Sequence, residues 1–206
     1  MSVASTVDTD TTVKDWTLDK LDWRPWLQTI DLNHLTPDQT SVLEEAPGGL
    51  AKISTYYATL AHDPIALRWR TRLFNAVMYG RGGSPRWTRE LAAVAGSRYN
   101  GCVYCASVHA RLYNDLTKTT DVIRRIFEEG VETHLEPREK AIVDFSVKLT
   151  HSPDALTPDD VAPLRAAGFG DLEILDIIHA TAMFAWANRL LQTLGQPERE
   201  VAAAQS

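Results

Sequence analysis

The chain has 206 residues, 44% hydrophobic and 23% charged, a balance ordinary for a globular protein long enough to bury a core without covalent staples. A net charge of −6, with no basic stripe, argues against nucleic acid as a partner. No apolar run approaches the roughly 20 residues needed to span a bilayer, which argues against a membrane-embedded role.

Residues 1–20 are read as a flexible N-terminal arm, because Met1 to about Asp15 is rich in Thr, Ser and Asp and has little to bury. The polar start also lacks the basic and apolar regions of a signal peptide, so the expected location is cytoplasmic. Trp16, Trp23 and Trp26 then arrive with Leu21 and Leu27, as an extended segment laid against the body or a neighbouring subunit. Residues 21–206 are read as one all-α domain with a redox core at about 60–130.

Thr36-Pro37-Asp38 places a capping residue before a proline and opens a helix to about Glu45. Leu50 to Ala61 reads as a second helix, uninterrupted by Gly or Pro, and Ala66 to Tyr79 as a third with Leu67, Leu73, Phe74, Val77 and Met78 along its apolar stripe. After the Gly80 to Gly83 loop come helices over Trp87 to Arg98, Cys102 to Leu116, Thr120 to Glu129 and Pro137 to Leu149. Thr157-Pro158-Asp159 opens another, closed by Gly168-Phe169-Gly170, and Leu172 to Leu194 is the longest. Strand-like alternation is nowhere sustained. The tetrapeptide Leu35-Thr36-Pro37-Asp38 recurs as Leu156-Thr157-Pro158-Asp159, which raises a duplicated helical unit against chance reuse of a capping signal.

Both cysteines lie in Asn100-Gly101-Cys102-Val103-Tyr104-Cys105, and His109 follows one turn later. The spacing puts Cys102, Cys105 and His109 on one helix face. In a cytoplasmic chain such a pair points to catalysis or metal binding before a structural disulfide. Cys102, just after the Asn100-Gly101 break, stands where the helix N-terminus favours a thiolate. His109 is placed to take a thiol proton and return one to a leaving oxygen. Glu90 can hold that imidazole if the two helices fold back across the Tyr99 to Gly101 turn. The chemistry this suggests is attack of a thiolate on a peroxide, condensation of the sulfenic acid with the second cysteine, and reduction by an outside dithiol.

The pattern of Glu90, Cys102-Val103-Tyr104-Cys105 and His109 resembles the signature of the alkylhydroperoxidase D (AhpD-like) family of the carboxymuconolactone decarboxylase superfamily. Ser84-Pro85-Arg86-Trp87-Thr88, Ala166-Ala167-Gly168-Phe169 and Asn188-Arg189-Leu190 are similar to its peroxidase-related branch. The resemblance spans about Leu60 to Gln196. It implies a compact all-helical fold, homo-oligomers (dimer, trimer or hexamer), and thiol peroxidase activity on a hydroperoxide with a dithiol reductant and no metal or organic cofactor. By the same resemblance Cys105 is the peroxidatic sulfur, Cys102 the resolving one, and Glu90 with His109 the proton relay. The helix-dipole argument alone makes Cys102 the more acidic thiol. Tyr104 stands where well-studied members of the family carry a histidine; a phenol with an ordinary pKa of about 10 is a poor base near neutrality, and the alternative role for Tyr104 is a pocket wall.

Other readings of these residues are plainer. The cysteines read alternatively as buried structural thiols, or as part of a zinc site that needs a fourth ligand from His34, His62, His134, His151 or His179. Glu90 has Arg86 four residues earlier as a simple ion-pair partner. His179, with Asp176 and Asn188, reads as a core residue or as facing the pocket, while Val77, Met78, Tyr79, Phe184 and Trp186 read as core or subunit interface. The competing functions are a cofactor-free enzyme of the decarboxylase branch, which needs no cysteine pair, and a redox-responsive binding protein.

Overall fold

The computed structural model describes residues 12–199, and the architecture is a helical bundle closed by one short ribbon. In chain order the elements are β1 (Leu21–Pro25), α1 (Pro37–Glu44), α2 (Thr55–Leu60), α3 (Pro64–Tyr79), α4 (Arg86–Tyr99), α5 (Val103–Thr117), α6 (Asp121–Glu129), α7 (Pro137–His151), α8 (Pro158–Ala166), α9 (Asp171–Leu194) and β2 (Gly195–Arg199).

The central helix is α4. Every residue from Thr88 to Ser97 is buried, and α5, α7 and α9 pack around it. Its small residues Ala92, Ala93, Ala95, Gly96 and Ser97 let those neighbours approach closely, with Leu91 and Val94 filling the space between. Two adjacent buried charges on α4 face different ways. Arg89 reaches Asp176 of α9 at 2.8 Å and the Gly80 carbonyl at 2.8 Å, and the Ser84 N–H donates to the same Asp176 oxygen at 2.7 Å. This pins the α3–α4 loop to α9. Gly83 belongs there because a Cβ would sit 1.9 Å from that carboxylate oxygen. Glu90, the other charge, faces α5.

The repeated tetrapeptide opens α1 and α8 through reciprocal capping: the Thr36 N–H donates to Gln39 Oε1 at 3.0 Å and the Thr157 N–H to Asp160 Oδ2 at 2.8 Å.

Three expectations from sequence change. The helix expected over Leu50 to Ala61 is instead a 3₁₀ turn, Leu50–Lys52, followed by α2. Ser54 causes the break: its backbone is extended and its hydroxyl caps α2 by accepting from the Tyr57 N–H at 3.3 Å. The tryptophan segment is extended against the body as expected, but it is a strand where no strand was read, and the segment after α9 pairs with it antiparallel, with Leu21 opposite Arg199 and Trp23 opposite Pro197. Each strand has only five residues, too few for alternation to stand out. Of the arm read over residues 1–20, residues 1–11 lie outside the described residues. Residues 12–20 run along the body: the Val13 N–H donates to the Pro197 carbonyl at 3.0 Å, and the Asp19 carbonyl accepts from Ser107 at 2.8 Å and from Arg111 at 2.5 Å.

The three tryptophans do different jobs. Trp23 is buried and donates its indole N–H to the Leu191 carbonyl at 3.1 Å. Trp16 lies under the Arg98 guanidinium, whereas Trp26 is exposed. His179 is exposed rather than a core residue, and it is absent from the lining of the pockets beside Cys102 and Cys105. Val77, Met78 and Phe184 are buried as core; Tyr79 and Trp186 are each more than 40% exposed.

Candidate active site

The site is built on the α4–α5 hairpin. Asn100 ends α4, and Gly101 takes a φ of +75°, a backbone conformation that disfavours a side chain. The Cys102 N–H then donates to the Ser97 carbonyl at 2.9 Å, and Cys102 becomes the N-cap of α5. This sharp reversal lays α5 antiparallel to α4. Cys102, Cys105 and His109 share the buried face of α5, and Glu90 lies opposite them on α4.

Glu90 is fully buried and His109 is 7% exposed. Their closest atoms, Glu90 Oε2 and His109 Nδ1, are 2.5 Å apart, and Arg86 Nε donates to Glu90 Oε1 at 2.8 Å. The relay partner and the plain ion-pair partner read from sequence are therefore both engaged, one on each carboxylate oxygen. Burial pushes the Glu90 carboxyl up, but the His109 ring and the Arg86 guanidinium outweigh it and hold Glu90 below the ordinary carboxylate range. An ionised Glu90 only accepts, so Nδ1 of His109 carries a hydrogen toward it and Nε2 lies on the far side of the ring. The ring is held edge-on by Phe184, with centroids 4.2 Å apart.

The two thiols are free and buried, and each shifts the ionisation of the other. The neighbouring Cys105 thiol lowers the Cys102 pKa most, with Asn188 adding to the effect against the cost of burial. Burial pushes Cys105 well up, and the neighbouring Cys102 sulfur adds to this. Cys102 is thus the thiol that ionises first, in agreement with its place at the helix N-terminus. Asn188, which the sequence reading gave in a matching tripeptide and as a companion of His179, stands beside both cysteines. It is fully buried, donates to Ser97 Oγ at 3.0 Å, accepts from Asn100 Nδ2 at 3.0 Å, and favours the thiolate of both cysteines.

A pocket of about 240 Å³ opens beside the pair, with Cys105, His109 and Tyr104 on one wall and Phe74, Phe184 and Leu112 among the apolar surfaces. Tyr104 is a wall and not a base: burial raises its hydroxyl to about 12. Cys102 does not line this pocket. It lines a second one, of about 380 Å³, between the α4–α5 turn, Gln192 and the start of β2, with exposed Trp26 at its edge. Arg70 of α3, which nothing in the sequence pattern singled out, also lines the first pocket and is 6% exposed. Among the described residues no group of three or more His, Cys, Asp or Glu side chains is arranged to hold a metal ion.

Residues 64–148 match the carboxymuconolactone decarboxylase family. The fold is similar to the alkylhydroperoxidase AhpD core of an uncharacterised peroxidase-related protein from Ralstonia eutropha JMP134, with a TM-score of 0.73 and 27% identity over 82% of this chain and 90% of that one. A peroxidase-related protein from Silicibacter sp. TM1040 gives 0.67 and 24%, covering 85% and 94%. The debrominase Bmp8 in complex with 2,3,4-tribromopyrrole shares the fold at a TM-score of 0.67 and 16% identity, covering 88% and 94%.

Proposed function

We propose that the chain is an AhpD-like member of the carboxymuconolactone decarboxylase superfamily, to which its residues 64–148 and its fold are similar, and that it is a thiol-dependent peroxidase whose Cys102–Cys105 pair cycles between dithiol and disulfide. A fold that also carries a debrominase does not choose the reaction; the side chains must. The observation that carries the reading is the buried Glu90–His109 pair at 2.5 Å, whose imidazole lines the same pocket as Cys105.

In this reading Cys105 gives its proton to Nε2 of His109 as the hydroperoxide enters the first pocket. The Cys105 thiolate attacks the distal peroxide oxygen, the O–O bond breaks, and the alkoxide takes the proton back from His109 to leave as an alcohol. Cys102, already the more acidic thiol, then attacks the Cys105 sulfenic acid; a disulfide forms and hydroxide leaves as water. The sum is two thiols and one hydroperoxide converted to one disulfide, one alcohol and one water. An external dithiol restores the pair by exchange, entering at Cys102 from the second pocket. Glu90 acts through His109, as a positioning residue. We place the protein in the cytoplasm, where a dithiol reductant is at hand, and as a homo-oligomer.

Hydroperoxide reduction with dithiothreitol as reductant tests this. Cys102→Ser and Cys105→Ser each abolish turnover, and His109→Ala lowers kcat/KM by about 10²- to 10⁴-fold. Turnover of hydroperoxide by a variant lacking both cysteines contradicts the reading and points to cysteine-independent chemistry.

A further inference from the structure

The first pocket carries more than its redox machinery. The Arg70 guanidinium is buried among aromatic rings, with Cζ 5.5, 5.0 and 4.8 Å from the ring centroids of Tyr56, Tyr57 and Phe74. Its Nη1 donates to the Tyr57 hydroxyl at 2.5 Å, and no carboxylate among the described residues comes within ion-pair distance of it. A buried cation without a counter-charge is costly, because desolvation is not repaid by an opposite charge. Tyr56 adds a second sign of a missing partner: it lines the same pocket, is 5% exposed, and its hydroxyl has no hydrogen-bond partner. The one other permanent charge on the lining is Lys52, which is exposed, and no carboxylate lines the pocket.

From this arrangement we infer that the pocket recognises a carboxylate-bearing organic substrate, with Arg70 and the Tyr56 hydroxyl receiving the carboxylate and the aromatic walls covering an apolar body. On the peroxidase reading, on which the substrate assignment rests, the substrate is an organic hydroperoxide with a carboxylate at one end and the O–O group directed to Cys105. The space suits an aryl or short alkyl body, since an apolar cavity of roughly 150 Å³ already admits benzene and this one measures about 240 Å³. Charge-assisted hydrogen bonds to a desolvated guanidinium are the strong kind, and leaving them unmade costs the neutral analogue its affinity.

The test compares cumene hydroperoxide bearing a para-carboxylate with its methyl ester as substrates. It also compares the two matching cumyl alcohols, which cannot turn over, as ligands by calorimetry. The wild type is expected to favour the acid over the ester by about ten- to a hundredfold in kcat/KM and in Kd. In Arg70→Met the acid-to-ester ratio falls toward one, Arg70→Lys recovers part of it, and Tyr56→Phe lowers it less; circular dichroism checks that each variant is folded. Equal binding of the two alcohols to the wild type overturns the inference without any variant, and does so whether or not the protein is a peroxidase. Preferential binding of the acid without turnover of either hydroperoxide upholds the carboxylate site and sinks the peroxidase reading.

Discussion

At the scale of single residues the site is a set of paired hydrogen bonds that fix protonation states. Glu90 spends one oxygen on Arg86 and the other on His109, so Nε2 of the imidazole lies on the far side of the ring. The cysteines are divided as well: the neighbouring Cys105 favours the Cys102 thiolate, whereas burial and the Cys102 sulfur disfavour that of Cys105. A titration of thiolate absorbance at 240 nm reads this directly. The first thiol of the reduced protein ionises below the ordinary value of 9.0 and the second well above it. Cys105→Ala removes that neighbour and moves the remaining Cys102 midpoint up, whereas an unchanged midpoint means the helix N-terminus and Asn188 do the lowering alone. This pair was half legible in the sequence. The helix-dipole argument pointed to Cys102 as the more acidic sulfur, and the neighbouring Cys105 and Asn188 push in the same direction; the residue that lines the pocket with His109 is nevertheless Cys105. Acidity and access are separate properties, and spacing along one helix speaks only to the first. Arg70 was illegible, because nothing local distinguishes an arginine on α3 that turns into an aromatic box from one that turns to solvent.

At the scale of elements, sequence signals worked where a local cause sets the boundary. Thr36, Thr157 and the Asn100-Gly101 break all act at or beside a helix end, through capping or a positive φ. They failed where the boundary depends on a partner far along the chain. The break at Ser54 is stabilised from across the fold, with Thr55 Oγ1 donating to the Trp23 carbonyl at 2.5 Å and Trp23 meeting Tyr56 edge-on at 5.5 Å. Strand β1 likewise exists because the segment after α9 returns to pair with it. Among the described residues, helices α3 and α9 each carry an exposed apolar stripe. Ile65, Trp69 and Leu73 repeat every four residues along α3 and are 67, 63 and 49% exposed, and Leu172, Leu175 and Trp186 on α9 are 53, 45 and 42% exposed. Apolar stripes of this kind are what a subunit interface covers. Sedimentation is expected to give a mass at least twice the 23.0 kDa of one chain, and Trp69→Asp to shift it toward the monomer. A wild-type monomer at micromolar concentration contradicts self-association through these faces.

For the molecule as a whole, the layout is a cysteine pair between two openings. On one side Cys105 meets a pocket lined by aromatics, Arg70 and His109; on the other Cys102 meets a groove between the α4–α5 turn and β2. Such a plan suits the proposed enzyme, which takes oxidant from one side and reductant from the other, because a Cys102–Cys105 disulfide would pass the oxidising equivalent across a single turn of α5. The all-helical class and the Glu90–His109 contact were legible beforehand, since both follow from periodicity and from one tight turn. The two-sided arrangement was not, because it depends on α2, α3 and β2, elements that come together only in the fold. The measurement that bears most directly on the central claim is a stoichiometric titration of the reduced protein, freed of excess thiol, with cumene hydroperoxide, followed by free-thiol count and intact mass. The account predicts that Cys102 and Cys105 disappear together at one equivalent, with a mass loss of about 2 Da and one alcohol formed per chain. Survival of both thiols in a large excess of hydroperoxide would contradict it.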